Sequence, residues 1–190
     1  MSHFFAYISR MKFINRWALM RNTSAESLST HSYDVAVIAN ALCVIGNERL
    51  GKSYNAERAA VIALYHDSSE IITGDMPTPV KYFNTAIKSA YKDIEKAAND
   101  RLLGYLPGDL KKYYSDILSP SDENMTRIVK AADKISACIK CAEEIKMGNS
   151  EFKNAFDANL ASIKEMNIEE ANIFISEFLD SYSLPLDELK

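Results

Sequence analysis

Apolar residues recur along this chain at intervals of three and four rather than two, a spacing that lines one face of a helix. The pattern predicts an all-α protein. A first helix is expected from Phe4 to Met20, with Phe5, Ile8, Met11 and Ile14 on one flank. The polar stretch Arg21 to Ser29 separates it from a second helix, capped near Ser29 and stopping around Gly46. Asn55 can cap a third helix from Ala56 to about Thr73, which Gly74 would stop. In Asp75-Met76-Pro77-Thr78-Pro79 the prolines fix φ and disfavour helix before them, so a stiff loop is expected.

A fourth helix is expected from about Val80 to Tyr105, with Val80, Phe83, Ile87, Ile94 and Leu102 on one face. A short piece from Asp109 to Leu118 leads to a long helix that starts at Pro120 and Ser121 and ends at Gly148. Helices over about Ser150 to Met166 and Ile168 to Tyr182 precede a mobile tail at Pro185. No repeat, low-complexity tract or composition break divides the chain, so residues 1–190 are expected to form one domain.

Composition narrows the functional classes. The net charge of -4, from 22 basic and 26 acidic residues intermixed, leaves no basic stripe for a nucleic-acid backbone. Polymeric nucleic acid is not expected as a ligand. Charges interrupt the apolar runs, no signal-peptide core is visible, and a cytoplasmic protein without a membrane partner is expected. Cys43, Cys138 and Cys141 are odd in number and lie in apolar helical stretches, so they read as buried, inert thiols. The Cys138/Cys141 spacing has no second pair to complete a zinc site.

The most informative chemistry sits in Ala-Leu-Tyr-His66-Asp67-Ser-Ser-Glu70, where an apolar helix spends two adjacent positions on ionisable groups. Burying either without a partner costs several kcal/mol or forces neutralisation. His31 falls on the same stripe as Val35, Ile38, Leu42 and Ile45 and therefore points inward. Asp133 lies among Ala131, Ala132 and Ala137, where small side chains leave room for an ion. A lone histidine on an apolar face is usually a hydrogen-bonded core group, and Asp133 could pair with Lys134. The adjacency of His66 and Asp67 tips the balance: His31, His66, Asp67 and Asp133 outline a divalent metal site. Glu70, one turn beyond His66, is placed to reach a water at that site.

The order His, His-Asp, distant Asp, all on helices, resembles the HD-domain metal-dependent phosphohydrolases. Asn15-Arg16-Trp17, Ser29 to His31, Tyr65-His66-Asp67 with Glu70, and Thr73-Gly74-Asp75-Met76-Pro77-Thr78-Pro79-Val80-Lys81-Tyr82-Phe83-Asn84 resemble, more closely, the bacterial 5′-deoxynucleotidases of the YfbR type. The resemblance implies an HD-domain helical bundle and a homodimeric enzyme that removes the 5′-phosphate from deoxyribonucleoside monophosphates. It further implies that His31, His66, Asp67 and Asp133 bind one divalent metal ion, with His31 and Asp133 also bordering the substrate. Arg16 would hold the phosphate, Trp17 would shape the sugar pocket, and Asp75, Met76, Pro77 and Thr78 would contact the substrate.

These roles make chemical sense. A phosphomonoester dianion needs charge neutralisation, which a cation and the guanidinium fork of Arg16 supply. A carboxylate must orient the attacking water and an acid must protonate the leaving oxygen; Glu70 and Asp75 are the candidates, with Glu70 assigned to the water and Asp75 placed nearer the leaving group. A rigid indole against C2′ leaves no partner for a ribose hydroxyl, so deoxyribose is favoured, with tolerance among bases. A mixed imidazole and carboxylate site accepts Mn²⁺, Co²⁺, Fe²⁺ or Zn²⁺. The alternatives are an HD-domain hydrolase of deoxynucleoside triphosphates or cyclic phosphodiesters, and a non-catalytic helical nucleotide-binding regulator. A triphosphate would call for more basic side chains than the motifs offer, and a regulator would predict damage to the ligand set.

Overall fold

The structure, a computed structural model, describes residues 1–81 and 83–190. Among the described residues it is all-α, with no strand beyond an isolated antiparallel bridge between Asn15 and Ser27. Helix α1 is Phe4–Ile8, α2 is Leu28–Leu50, α3 is Ala56–Tyr65 and α4 is Glu70–Thr73. Then come α5 (Thr78–Lys81), α6 (Thr85–Gly104), α7 (Gly108–Leu118), α8 (Glu123–Lys146), α9 (Lys153–Glu165) and α10 (Glu169–Phe178).

The main core joins α2, α3, α8, α9 and α10 through Val35, Leu42, Cys43, Ala59, Ala63, Ile135, Cys138, Ile163 and Ala171, all fully buried. Each such large side chain contributes about 1.5–3 kcal/mol by leaving water. A second cluster ties α1 to α6 and α7 through Phe4, Leu102, Leu106 and Leu118. The cysteines are buried as expected, and burial raises the thiols to about 11 at Cys43, 11 at Cys138 and 12 at Cys141.

Tertiary contacts redraw several expected elements. The first helix stops at Ile8, continues as a 3-10 turn over Ser9–Phe13, and gives way to extended chain because Ile14, Arg16 and Asn15 pair with the segment before α2. Trp17 is therefore not helical. Phe4 faces the core, whereas Phe5 is exposed. Helix α2 is capped by Ser27 rather than Ser29, whose hydroxyl is too far along, and it runs through Gly46 to a left-handed Gly51. Gly46 is there for space: a Cβ would meet the Tyr54 ring at 2.8 Å.

The third helix ends at Tyr65, eight residues early, since a tight turn over 66–69 precedes the separate α4. The stiff loop shortens to 75–77, with Thr78 and Pro79 already in α5. Asn84 caps α6 afresh through its side chain, so no single helix runs from Val80 to Tyr105; Tyr82 lies outside the described residues. The buried face of α6 is Tyr91, Ala98 and Leu102, while Val80, Phe83 and Ile94 are exposed. Asp122, not Ser121, caps α8, and the tail after Pro185 forms a 3-10 turn over Leu186–Glu188.

One composition argument also needs correction. Leu28–Leu50 is long and apolar enough to cross a membrane by length and composition, so charges do not interrupt every run. Over half of that window, 56%, is buried in the fold, as befits a central core helix.

Candidate active site

Buried polar residues gather where α2, the α3–α4 turn and α8 meet: His31, Ser68, Ser69, Glu70 and Ser136. His31 occupies the first turn of α2 and is fully buried. His66 and Asp67 follow the last residue of α3, and Asp133 projects from the middle of α8. Nε2 of His31 stands 3.1 Å from Asp133 Oδ1 and 3.7 Å from Asp67 Oδ2. Nε2 of His66 stands 3.1 Å from Asp67 Oδ2. Donor atoms of His31, His66 and Asp133 all fall within 4.8 Å of one another.

Those spacings fit a cation. Ligand atoms about 2.1 Å from one ion lie about 3–4 Å apart, and the 3.1, 3.7 and 3.1 Å pairs fall in that range. Both Nε2 atoms, Arg16 Nη1 and Glu70 Oε2 are buried without a hydrogen-bond partner. Buried polar atoms are ordinarily satisfied, so a cation and an oxygen-rich ligand suit these orphans. The outer nitrogens are held in the right sense. Nδ1 of His66 lies 2.7 Å from the Ala63 carbonyl, an acceptor only, which places a proton on Nδ1 and leaves Nε2 as the nitrogen that would face an ion. Nδ1 of His31 is paired with Ser136 Oγ at 3.1 Å.

The charges of the cluster act on one another. Burial disfavours imidazolium at His66, but Asp67 and Asp133 outweigh it and raise the group to about 9. Burial would also raise Asp67, yet His66, His31 and Arg16 hold it well below the usual carboxylate range. Asp133 is likewise held at about 2, by His31 and Arg16 against burial. Glu70 moves the other way: burial, then Asp67 and Asp75, raise it to about 9. Asp75 is also raised, chiefly by burial, although Arg16 and the Trp17 backbone pull against that shift. Neighbouring carboxyls driven in opposite directions are a signature of proton chemistry.

Arg16, 15% exposed, reaches toward Asp67 at 3.7 Å and Asp133 at 3.8 Å through Nη1. Trp17 packs its ring on Phe152, centroids 5.3 Å apart. Met76 and Pro77, half-buried, and Thr78, exposed, follow Asp75 in the chain. The structure thus gathers Arg16, His31, His66, Asp67, Glu70, Asp75 and Asp133, with Trp17 alongside. Sequence reading passed over Ser136 and Glu26. Ser136 carried a usable signal, three residues after Asp133 on one helix face; Glu26, within a polar stretch, carried none. A surface cavity of about 510 Å³, lined in part by Tyr54, Arg58 and Asp116, shares no residue with this cluster.

Comparison with known proteins agrees with this picture. The chain is 47% identical over 191 residues to a 5′-deoxynucleotidase of Photorhabdus laumondii, covering 100% of this chain and 97% of that one. It is 46% identical over 190 residues to a 5′-deoxynucleotidase of Vibrio cholerae, covering 99% and 98% of the two chains. An HD-domain phosphohydrolase from Listeria innocua superposes with a TM-score of 0.82 at 25% identity, covering 95% of this chain and 88% of that one. A cyanophage S-2L HD phosphohydrolase, solved with dA and one catalytic Zn²⁺, shares the fold with a TM-score of 0.70 at 15% identity, covering 93% and 96%. The fold is that of the HD-domain phosphohydrolases. A model of YfbR-like 5′-deoxynucleotidases matches residues 3–182, and the chain belongs to that family.

Proposed function

We propose that this protein is a divalent-metal-dependent 5′-deoxynucleotidase, releasing inorganic phosphate and a deoxyribonucleoside from deoxyribonucleoside 5′-monophosphates. The observation that carries this reading is the convergence of His31, His66, Asp67 and Asp133 with a guanidinium beside them. These four residues would hold the ion, which when bound supplies Lewis-acid polarisation of the phosphoryl group and charge neutralisation. Zn²⁺, Mn²⁺, Co²⁺ and Fe²⁺ all suit this donor set.

The remaining steps belong to the chain. Arg16 presents its free Nη1 to the phosphate oxygens. Glu70, beside Asp67, orients the attacking water as a carboxylate, a form that Lys81 and Arg16 favour and that a bound cation would favour further. The water's oxygen forms the new bond to phosphorus and its proton passes to the Glu70 carboxylate, while the bond to the 5′-oxygen breaks. Asp75, beside Arg16 and Trp17, is placed to deliver a proton to the departing oxygen. Trp17 walls off C2′ and admits deoxyribose, and Met76, Pro77 and Thr78 lie along the substrate on the loop after Asp75.

We further read residues 1–190 as one HD-type domain that pairs with a second copy. Tyr33, Val37 and Val44 on α2 and Val61 and Leu64 on α3 form exposed apolar surface suited to that contact. Sedimentation velocity of the wild type and Val37→Glu tests the pairing. A cytoplasmic enzyme fits the three free thiols. The activity is tested by product identification with metal-loaded protein. Inorganic phosphate from deoxyribonucleoside monophosphates supports the reading; triphosphate release or ring opening of a cyclic diester points to the rival hydrolases, and binding without turnover to a regulator.

A further inference from the structure

Glu26 sits in the irregular chain before α2 and is 7% exposed. A carboxylate so far removed from water is unfavourable unless it is paired. Its partners are two consecutive residues of the site and one residue of the ligand set. Trp17 Nε1 donates to Oε2 at 2.7 Å, and Arg16 Nε stands 3.4 Å from the same oxygen. Oε1 faces His31 Nδ1 at 3.8 Å. The main chain adds to the grip, since Arg16 N–H donates to the Glu26 carbonyl at 2.9 Å.

The grip matters because neither partner would adopt its pose unaided. Trp17 has φ 61, a left-handed conformation that a bulky residue keeps only when its surroundings impose it. With Nε of Arg16 directed at Glu26, the guanidinium turns Nη1 toward Asp67 and Asp133, the atom left without a hydrogen-bond partner.

We propose that Glu26 is a positioning residue that sets the Arg16 guanidinium and the Trp17 indole as one preformed unit, so that phosphate affinity and deoxyribose selectivity both depend on a carboxylate that touches no part of the substrate. The inference rests on the roles given to Arg16 and Trp17 above. It separates two functions of one side chain. An amide at position 26 keeps an oxygen acceptor for the indole N–H but loses the charge facing the guanidinium, whereas alanine loses both.

The test compares Glu26→Gln and Glu26→Ala in metal-saturated full-length protein, with circular dichroism as the folding control. Glu26→Ala is expected to raise KM for deoxyribonucleoside monophosphates at least tenfold with a smaller change in kcat. It should also shrink the deoxyribose to ribose ratio of kcat/KM at least threefold and red-shift the emission of Trp17, the single tryptophan. Glu26→Gln is expected to recover the sugar ratio and the emission maximum while its KM stays high. Wild-type emission and KM in Glu26→Ala overturn the proposal. If Glu26→Ala does not fold, wild-type KM in Glu26→Gln overturns it. Should the wild-type protein hydrolyse no nucleotide, the functional reading fails, while the emission comparison still decides whether Glu26 sets Trp17.

Discussion

Ser136 Oγ lies 3.1 Å from Nδ1 of His31, and this contact turns the opposite nitrogen of the ring toward Asp133. The serine holds the imidazole in the orientation a ligand needs, although it does not itself approach the ion site. Supporting contacts of this kind are typically worth about 10–100-fold in metal affinity. Ser136→Ala should therefore weaken the ion by about that factor while kcat at saturating metal stays near wild type. Activity titrated against free metal in a chelator buffer measures this, and an unchanged midpoint would contradict it.

Glu70 should govern rate rather than metal retention. Its Oε2 is buried and unpartnered, and it is assigned to orient the attacking water. Glu70→Ala should lower kcat by about 10²–10⁴-fold, the range for a positioned acid or base, with bound metal unchanged by elemental analysis. Near-normal kcat would remove Glu70 from the mechanism.

Trp17 and Arg16 should fail differently. Trp17→Ala is expected to narrow the preference for deoxyribose over ribose, since the wall that excludes the 2′-hydroxyl is gone. Arg16→Ala should lower kcat/KM for every nucleotide by a similar factor, and Arg16→Lys should recover little because the planar fork is lost. Steady-state kinetics on matched deoxyribose and ribose monophosphates separates the two. A wild-type sugar ratio in Trp17→Ala would return the indole to a packing role.

The approach to the site has its own acid-sensitive anchor. Glu144, 1% exposed, accepts from Thr23, Ser24, Asn149 and Lys140, so it pins the 21–24 segment that leads to Glu26. Burial alone would raise this carboxyl, but Lys140, Thr23 and Asn149 hold it well below the usual range. Its folded-state pKa is thus lower than the unfolded value of about 4.3, and the anchor contributes its stability fully above that value. That contribution is lost as pH falls from there through the folded-state value. Trp17 emission should hold through about pH 4 and shift only as pH falls on toward the folded-state value of Glu144, well below the usual carboxylate range. Glu144→Gln should show a lower Tm at pH 7 and a flatter stability profile in acid; an identical acid profile in both proteins would contradict the assignment.

Helical periodicity made the all-α architecture legible in the sequence, and the His66-Asp67 pair marked the polar cluster that the structure gathers. His31 on the stripe of α2 and Asp133 among small residues of α8 could be aimed because helical spacing fixes direction. The failures share a cause. Phe4 to Met20 looks helical by pattern, but the bridge of Asn15 to Ser27 and the pairing of Arg16 with Glu26 are long-range contacts that override local preference. The break at His66 is the exception: it is local, made by i→i−3 bonds such as Ser68 N–H to the Tyr65 carbonyl and Glu70 N–H to the Asp67 carbonyl, and its residues keep helical spacing. Glu26 and Glu144 were invisible because their burial comes from partners distant in sequence.

The central claim is that His31, His66, Asp67 and Asp133 form one divalent metal centre on which phosphate release depends. The most direct measurement is bound metal by elemental analysis, with phosphate release, for wild-type, His66→Ala and Asp67→Ala proteins, each checked for helical content. About one ion per chain is expected in the wild type, with its loss in both variants, because an incomplete coordination sphere binds poorly. Phosphate release should vanish with the ion and return when metal is restored to stripped wild-type protein. Full metal occupancy in folded His66→Ala and Asp67→Ala, or undiminished turnover by stripped wild-type protein, would contradict it.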